Sequence, residues 1–102
     1  MNIVTFGEFE EKYIDPKHTV THFHSGCEDQ SADIAIIDIN TIFDFEENKT
    51  KACKDKYISL AIIDDESDYD AFKNFGIDAW IQRDELSEFN SLLNLIEKRF
   101  LS

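Results

Sequence analysis

Two apolar runs set the limits on what this chain can fold into. Asp33-Ile34-Ala35-Ile36-Ile37-Asp38 holds consecutive aliphatic side chains between carboxylates, and Tyr57-Ile58-Ser59-Leu60-Ala61-Ile62-Ile63 runs into Asp64-Asp65-Glu66. Successive side chains of a strand point to opposite faces, so a run without polar alternation must be covered on both sides. Antiparallel sheets with one wet face do not need this pattern. Interior strands of a parallel sheet, with helices over both faces, do.

The flanking segments supply the rest of such a sheet. Asn2–Phe6 reads as a short buried strand, and Glu8–Tyr13 as a brief helix or turn stopped by Asp15-Pro16. Thr19–His24 alternates around β-branched residues and predicts an edge strand closed by Ser25-Gly26. Thr41–Lys56 is polar and weakly helical. Asp68–Phe75 predicts a short helix in which Ala71, Phe72 and Phe75 share a face, with Gly76 at its C-terminal cap. Ala79-Trp80-Ile81 is a last short strand. From Asp84 or Glu85 onward, Leu86, Phe89, Leu93, Ile96 and Phe100 recur at helical spacing. Strands alternating with helical stretches give a three-layer α/β sandwich around a five-stranded parallel sheet of flavodoxin-like type, one domain over residues 1–102. Ligands of such sheets gather outside the strands' carboxyl ends, where Asp38 and the Asp64-Asp65 pair are both expected.

Composition narrows function. A chain of 102 residues with 42% hydrophobic residues has material for one core, and 10 Lys+Arg against 22 Asp+Glu leave a net charge of −12. That excess repels phosphate backbones and anionic membrane surfaces, so nucleic acid and membrane are not expected partners. No apolar run nears the ~18 residues of a spanning helix, and Met1–Phe6 is too short for a secretory signal. Two cysteines, Cys27 and Cys53, make no disulfide framework. The expected compartment is the cytoplasm. No Gly-rich phosphate loop, nucleophile elbow or Ser-His-Asp arrangement is present, so no enzymatic activity is expected.

From Ala32 to Leu101 the order and spacing of segments resemble the receiver domain of two-component response regulators. Asp33–Asp38 resembles the third-strand segment that ends in the phosphoacceptor aspartate, which makes Asp38 the candidate. Gly76-Ile77-Asp78-Ala79-Trp80-Ile81-Gln82-Arg83 resembles the family's Gly-Ala-Asp-Asp-Tyr-Leu-x-Lys segment, with Trp80 at the aromatic switch position and Arg83 at the phosphate-contacting lysine. The departures bear on chemistry. The family's first strand runs into an acidic pair that holds Mg²⁺; here Val4-Thr5 is followed by Phe6-Gly7, and Glu8 is the nearest carboxylate. Phosphoryl transfer to a carboxylate brings two negative charges together, and a divalent cation offsets them; Phe and Gly offer it no side-chain oxygen. The fourth-strand Ser/Thr falls on Ile63 or Asp64, and Arg presents a rigid fork where Lys presents a point charge. The first and third helices look shortened. The resemblance therefore implies a pseudo-receiver, working by protein contacts with phosphorylation impaired. The alternative is a receiver phosphorylated on Asp38, with Glu8, Asp38, Asp64 and Asp65 gathering oxygens for a weak Mg²⁺ site.

Three further features stand outside that frame. His22, His24 and Cys27 have the look of a small metal site, since alternation puts both imidazoles on one strand face. Lys49, Lys51, Lys54 and Lys56 form a basic run and residues 64–70 an acidic one, both expected as solvated faces. Tyr69, Phe75 and Trp80 form a candidate partner surface beside the fourth and fifth helices, for a signalling kinase, an output protein or a second copy.

Overall fold

The computed structural model describes residues 2–6, 11–23 and 32–101. Five strands form one parallel sheet: β1 (Asn2–Thr5), β2 (Thr19–His22), β3 (Ala32–Ile37), β4 (Cys53–Ile63) and β5 (Ala79–Gln82), in the order β2-β1-β3-β4-β5. That is the flavodoxin-like order, and β2 lies at the edge where its Thr-rich alternation belongs. Among the described residues, three α-helices accompany it: α1 (Ile42–Ala52), α2 (Asp68–Lys73) and α3 (Phe89–Ile96). Among the described residues of the link from β1 to β2, the helical element is a 3₁₀ turn at Glu11–Tyr13, shortened as expected for the first helix.

The double burial implied by the apolar runs is realised residue by residue. Ile34, Ile36, Leu60 and Ile62 face one side, where Leu86, Phe89, Leu93 and Ile96 of the C-terminal helical segment cover them. Ala35, Ile37, Ala61 and Ile63 face the other, under Ile42, Phe45 and Phe72 of α1 and α2. Each large side chain removed from water on either face contributes about 1.5–3 kcal/mol.

Boundaries moved in two places. β4 begins at Cys53, inside the stretch read as weakly helical. Pairing is Ala32 with Cys53, then Ile34 with Ile58, so β4 advances five residues while β3 advances two. This irregularity carries the chain out of α1 and into the sheet. At the other end, Arg83–Glu88 is a 3₁₀ segment with a non-helical Glu85 (φ −108°, ψ 16°), and α-helix starts only at Phe89. The Leu86-to-Phe89 spacing serves either helix type, so periodicity did not distinguish them. Gly76 after α2 has φ 68°, the left-handed conformation that fits its reading as a helix-ending glycine.

Cys53 is buried, and burial pushes its thiol up to about 11, so it is inert at neutral pH. His18 is a buried polar residue that the sequence did not single out. Its turn is fixed by the His18 N–H donating to the Asp15 carbonyl (3.0 Å), while the Asp15 N–H donates to Asn90 Oδ1 on α3 (2.7 Å). Burial first, then the chain's amino terminus and Lys17, hold its imidazole below the ordinary histidine range, against Glu97 and Asp15.

Two outcomes follow from this packing. Phe89→Ala, at a fully buried position, is expected to cost about 3–5 kcal/mol in denaturant unfolding, whereas Phe43→Ala, at a site 70% exposed, removes little beyond its edge-on contact with Phe75 and changes stability by about 1 kcal/mol or less. For His18, the unfolded chain takes up a proton near pH 6.5 while the folded chain resists until lower pH. Stability therefore falls as pH drops from about 6.5 to the depressed folded value. His18→Leu is expected to remove that part of the slope in a urea midpoint series against pH.

Candidate functional site

Because all five strands run parallel, their carboxyl ends lie along one edge, and four of them deliver the site. β3 hands over Asp38, β4 Asp64 and Asp65, β5 Arg83, and β1 Phe6. Asp38 and Asp64 lie together at this edge, and Arg83 stands between them. Arg83 makes a two-point contact with Asp64, Nε to Oδ1 and Nη2 to Oδ2 (3.2 Å), while Nη2 stands 3.9 Å from Asp38 Oδ2.

Local structure fixes both carboxylates. Asp38 opens an Asx-type turn into α1: its Oδ1 accepts the Asn40 N–H (2.9 Å) and the Thr41 hydroxyl (3.1 Å). The Asp38 N–H donates to Thr41 Oγ1 (3.0 Å) and the Thr41 N–H to the Asp38 carbonyl (3.1 Å). The loop after β4 is held by Asp68, a buried carboxylate at the start of α2. Its Oδ2 accepts the backbone N–H groups of Asp64 and Asp65, both at 3.1 Å. Asp65 in turn accepts the Ser67 N–H (3.0 Å) and points its charge along its own loop. The run of acids after Ile63 is thus part scaffold and part exposed charge. Asp68 is the member whose role the sequence did not reveal; a carboxylate three or four residues after two others is the pattern that marks it.

The Arg83 hydrogen bond and charge hold the Asp64 carboxyl below the usual carboxylate range despite its partial burial, and raise the Arg83 guanidinium in return. Beside the pair lies a cleft of about 480 Å³ between the β4 and β5 ends, lined by Asp64, Asp65, Glu66, Gln82, Arg83 and Asp84.

The end of β1 differs in kind. The Phe6 ring stacks on Phe23 (centroids 4.7 Å, 27°) and meets Phe45 edge-on (5.5 Å, 86°). Its N–H donates to the Ile36 carbonyl (2.9 Å), and the Phe23 N–H donates to the Thr5 carbonyl (2.8 Å). Three rings pack together at the end of β1. Thr5 is buried, and its Oγ1 lies 2.9 Å from His22 Nδ1 on the neighbouring edge strand.

The remaining candidates separate. Glu8, His24 and Cys27 lie outside the described residues, so the metal readings that need them are left with His22 alone on β2 and with Asp38, Asp64 and Asp65 at the strand ends. Among the described residues, no group of three or more His, Cys, Asp or Glu side chains is arranged to hold a metal ion. Tyr69 and Trp80 meet edge to face (5.8 Å, 81°), with Trp80 48% exposed, and they line a groove of about 340 Å³ with Leu92, Leu95, Glu85 and Glu88. Phe75 pairs instead with Phe43 (5.9 Å, 83°). Among the described residues, no helix is long and apolar enough to cross a membrane.

Since Asp64 is held low in the folded chain, the Asp64–Arg83 pair stabilises fully above the ordinary aspartate value near 3.9 and is lost as pH falls through the depressed one. Both partners are substantially exposed, so Asp64→Asn is expected to cost less than about 1 kcal/mol at pH 7, a difference that shrinks in about 1 M salt and vanishes in acid. Equilibrium urea unfolding across pH and salt checks this. No protein-family model, curated protein or solved structure matches the chain.

Proposed function

We propose that the chain is a receiver-like signalling domain that acts in the cytoplasm through protein contacts, without catalytic activity of its own and with phosphoryl acceptance at Asp38 impaired. The observation that carries this reading is the aromatic cluster at the end of β1. A carboxylate that accepts a phosphoryl group gathers charge that a hard cation must offset, and Phe6, Phe23 and Phe45 offer such a cation no oxygen. Supporting it, Asp38 uses one carboxylate oxygen to fix the turn into α1, and Arg83 is engaged chiefly by Asp64. The partner surface on this reading is the Tyr69–Trp80 groove, where half-exposed aromatic area stands beside Leu92 and Leu95. A signalling kinase, an output protein or a second copy would dock there.

Incubation with Mg²⁺ and acetyl phosphate, followed by intact-mass measurement, tests the reading directly. The expected result is no gain, or a small substoichiometric one. A stoichiometric, Mg²⁺-dependent gain of one phosphoryl group, abolished by Asp38→Asn, would establish the competing reading of a working phosphoacceptor and sink this one.

A further inference from the structure

We propose that Asp64 withholds Arg83 from Asp38: two carboxylates compete for one guanidinium, and the loop after β4 is built so that Asp64 wins. The burial of the two acids points the other way. The Asp38 side chain is 10% exposed and that of Asp64 is 36% exposed, so Asp38 has lost more water and has more need of a compensating charge. Yet Asp64 holds the two-point contact, and Asp38 is left with a separation of 3.9 Å.

Loop geometry accounts for the inversion. Asp68 is 7% exposed, and its carboxylate clamps the N–H groups of both Asp64 and Asp65, which sets the Asp64 side chain opposite the rigid fork of Arg83. Asp38 Oδ1 is already taken by Asn40 and Thr41, so only Oδ2 faces Arg83. The guanidinium therefore sits on Asp64, with its Nη2 3.9 Å from the competing partner, Asp38 Oδ2. Asp64 acts as a positioning residue that holds it there. The competition belongs to the unmodified chain and does not depend on phosphoryl acceptance at Asp38.

A double-mutant cycle of Asp38→Asn with Arg83→Gln, run in the unaltered and the Asp64→Asn backgrounds, tests it by thermal unfolding. In the unaltered background the coupling between the two substitutions is expected to be small, since Arg83 Nη2 stands 3.9 Å from Asp38 Oδ2. With Asp64→Asn they should depart from additivity by roughly 4 °C, because Arg83 has moved onto Asp38. NMR of the Asp64→Asn protein should then show Arg83 Nε–H contacts to Thr41. Asp64→Ser, which removes the carboxylate with a different side chain, must give the same non-additivity. Additive behaviour in both Asp64 variants, or an Arg83 side chain with contacts only to solvent, would overturn the competition. Neither measurement involves a phosphoryl donor, so failure here is distinguishable from failure of the proposed function.

Discussion

β3 and β4 carry aliphatic side chains on both faces, and everything else in the structure depends on covering them. Ile34 and Ile36 need one cover and Ala35 and Ile37 another, and the same holds for Leu60 and Ile62 against Ala61 and Ile63. A single chain meets that demand only by sending helical segments to both sides of a parallel sheet, which places every strand's carboxyl end on one edge. The convergence of Asp38, Asp64 and Arg83 is a by-product of this burial. Their carboxylates and guanidinium stand at the sheet edge because β3, β4 and β5 end there.

At that edge, charge and apolar surface divide the work. The β3, β4 and β5 ends form a polar corner of two acids sharing one arginine, backed by the Asp68 clamp. The β1 end is closed by stacked rings. Aromatic packing of Phe6 against Phe23 and Phe45 removes apolar area from water and joins the edge strand to α1. Such packing stabilises the corner with rings that carry no side-chain oxygen.

Much of the fold was legible because it rests on patterns of period two and 3.6. The two apolar runs, the Leu86–Ile96 stripe and the cap at Gly76 each follow from local geometry. The 3₁₀ opening of the C-terminal segment was not, since Leu86 and Phe89 are spaced for either helix. The start of β4 was hidden too: Cys53 pairs with Ala32 through an irregular register that exists only once β3 is alongside. In the site, Asp38, Asp64 and Arg83 could be named from strand ends alone. Asp68 and His18 could not, because a buried polar group is recognised by what surrounds it.

The sequence by itself determined that this chain makes a doubly covered parallel sheet and that its carboxylates crowd one end, since both follow from side-chain alternation along single strands. Tertiary structure decided which charges pair. Asp38 and Asp64 are equivalent as sequence, each an aspartate following an aliphatic strand. Only the folded chain gives Arg83 to Asp64, through a clamp from Asp68 that fixes one loop, and seats Phe6 on rings contributed by β2's end and α1. Pairing depends on distances of a few ångströms between segments far apart in the chain, and one-dimensional spacing does not encode those.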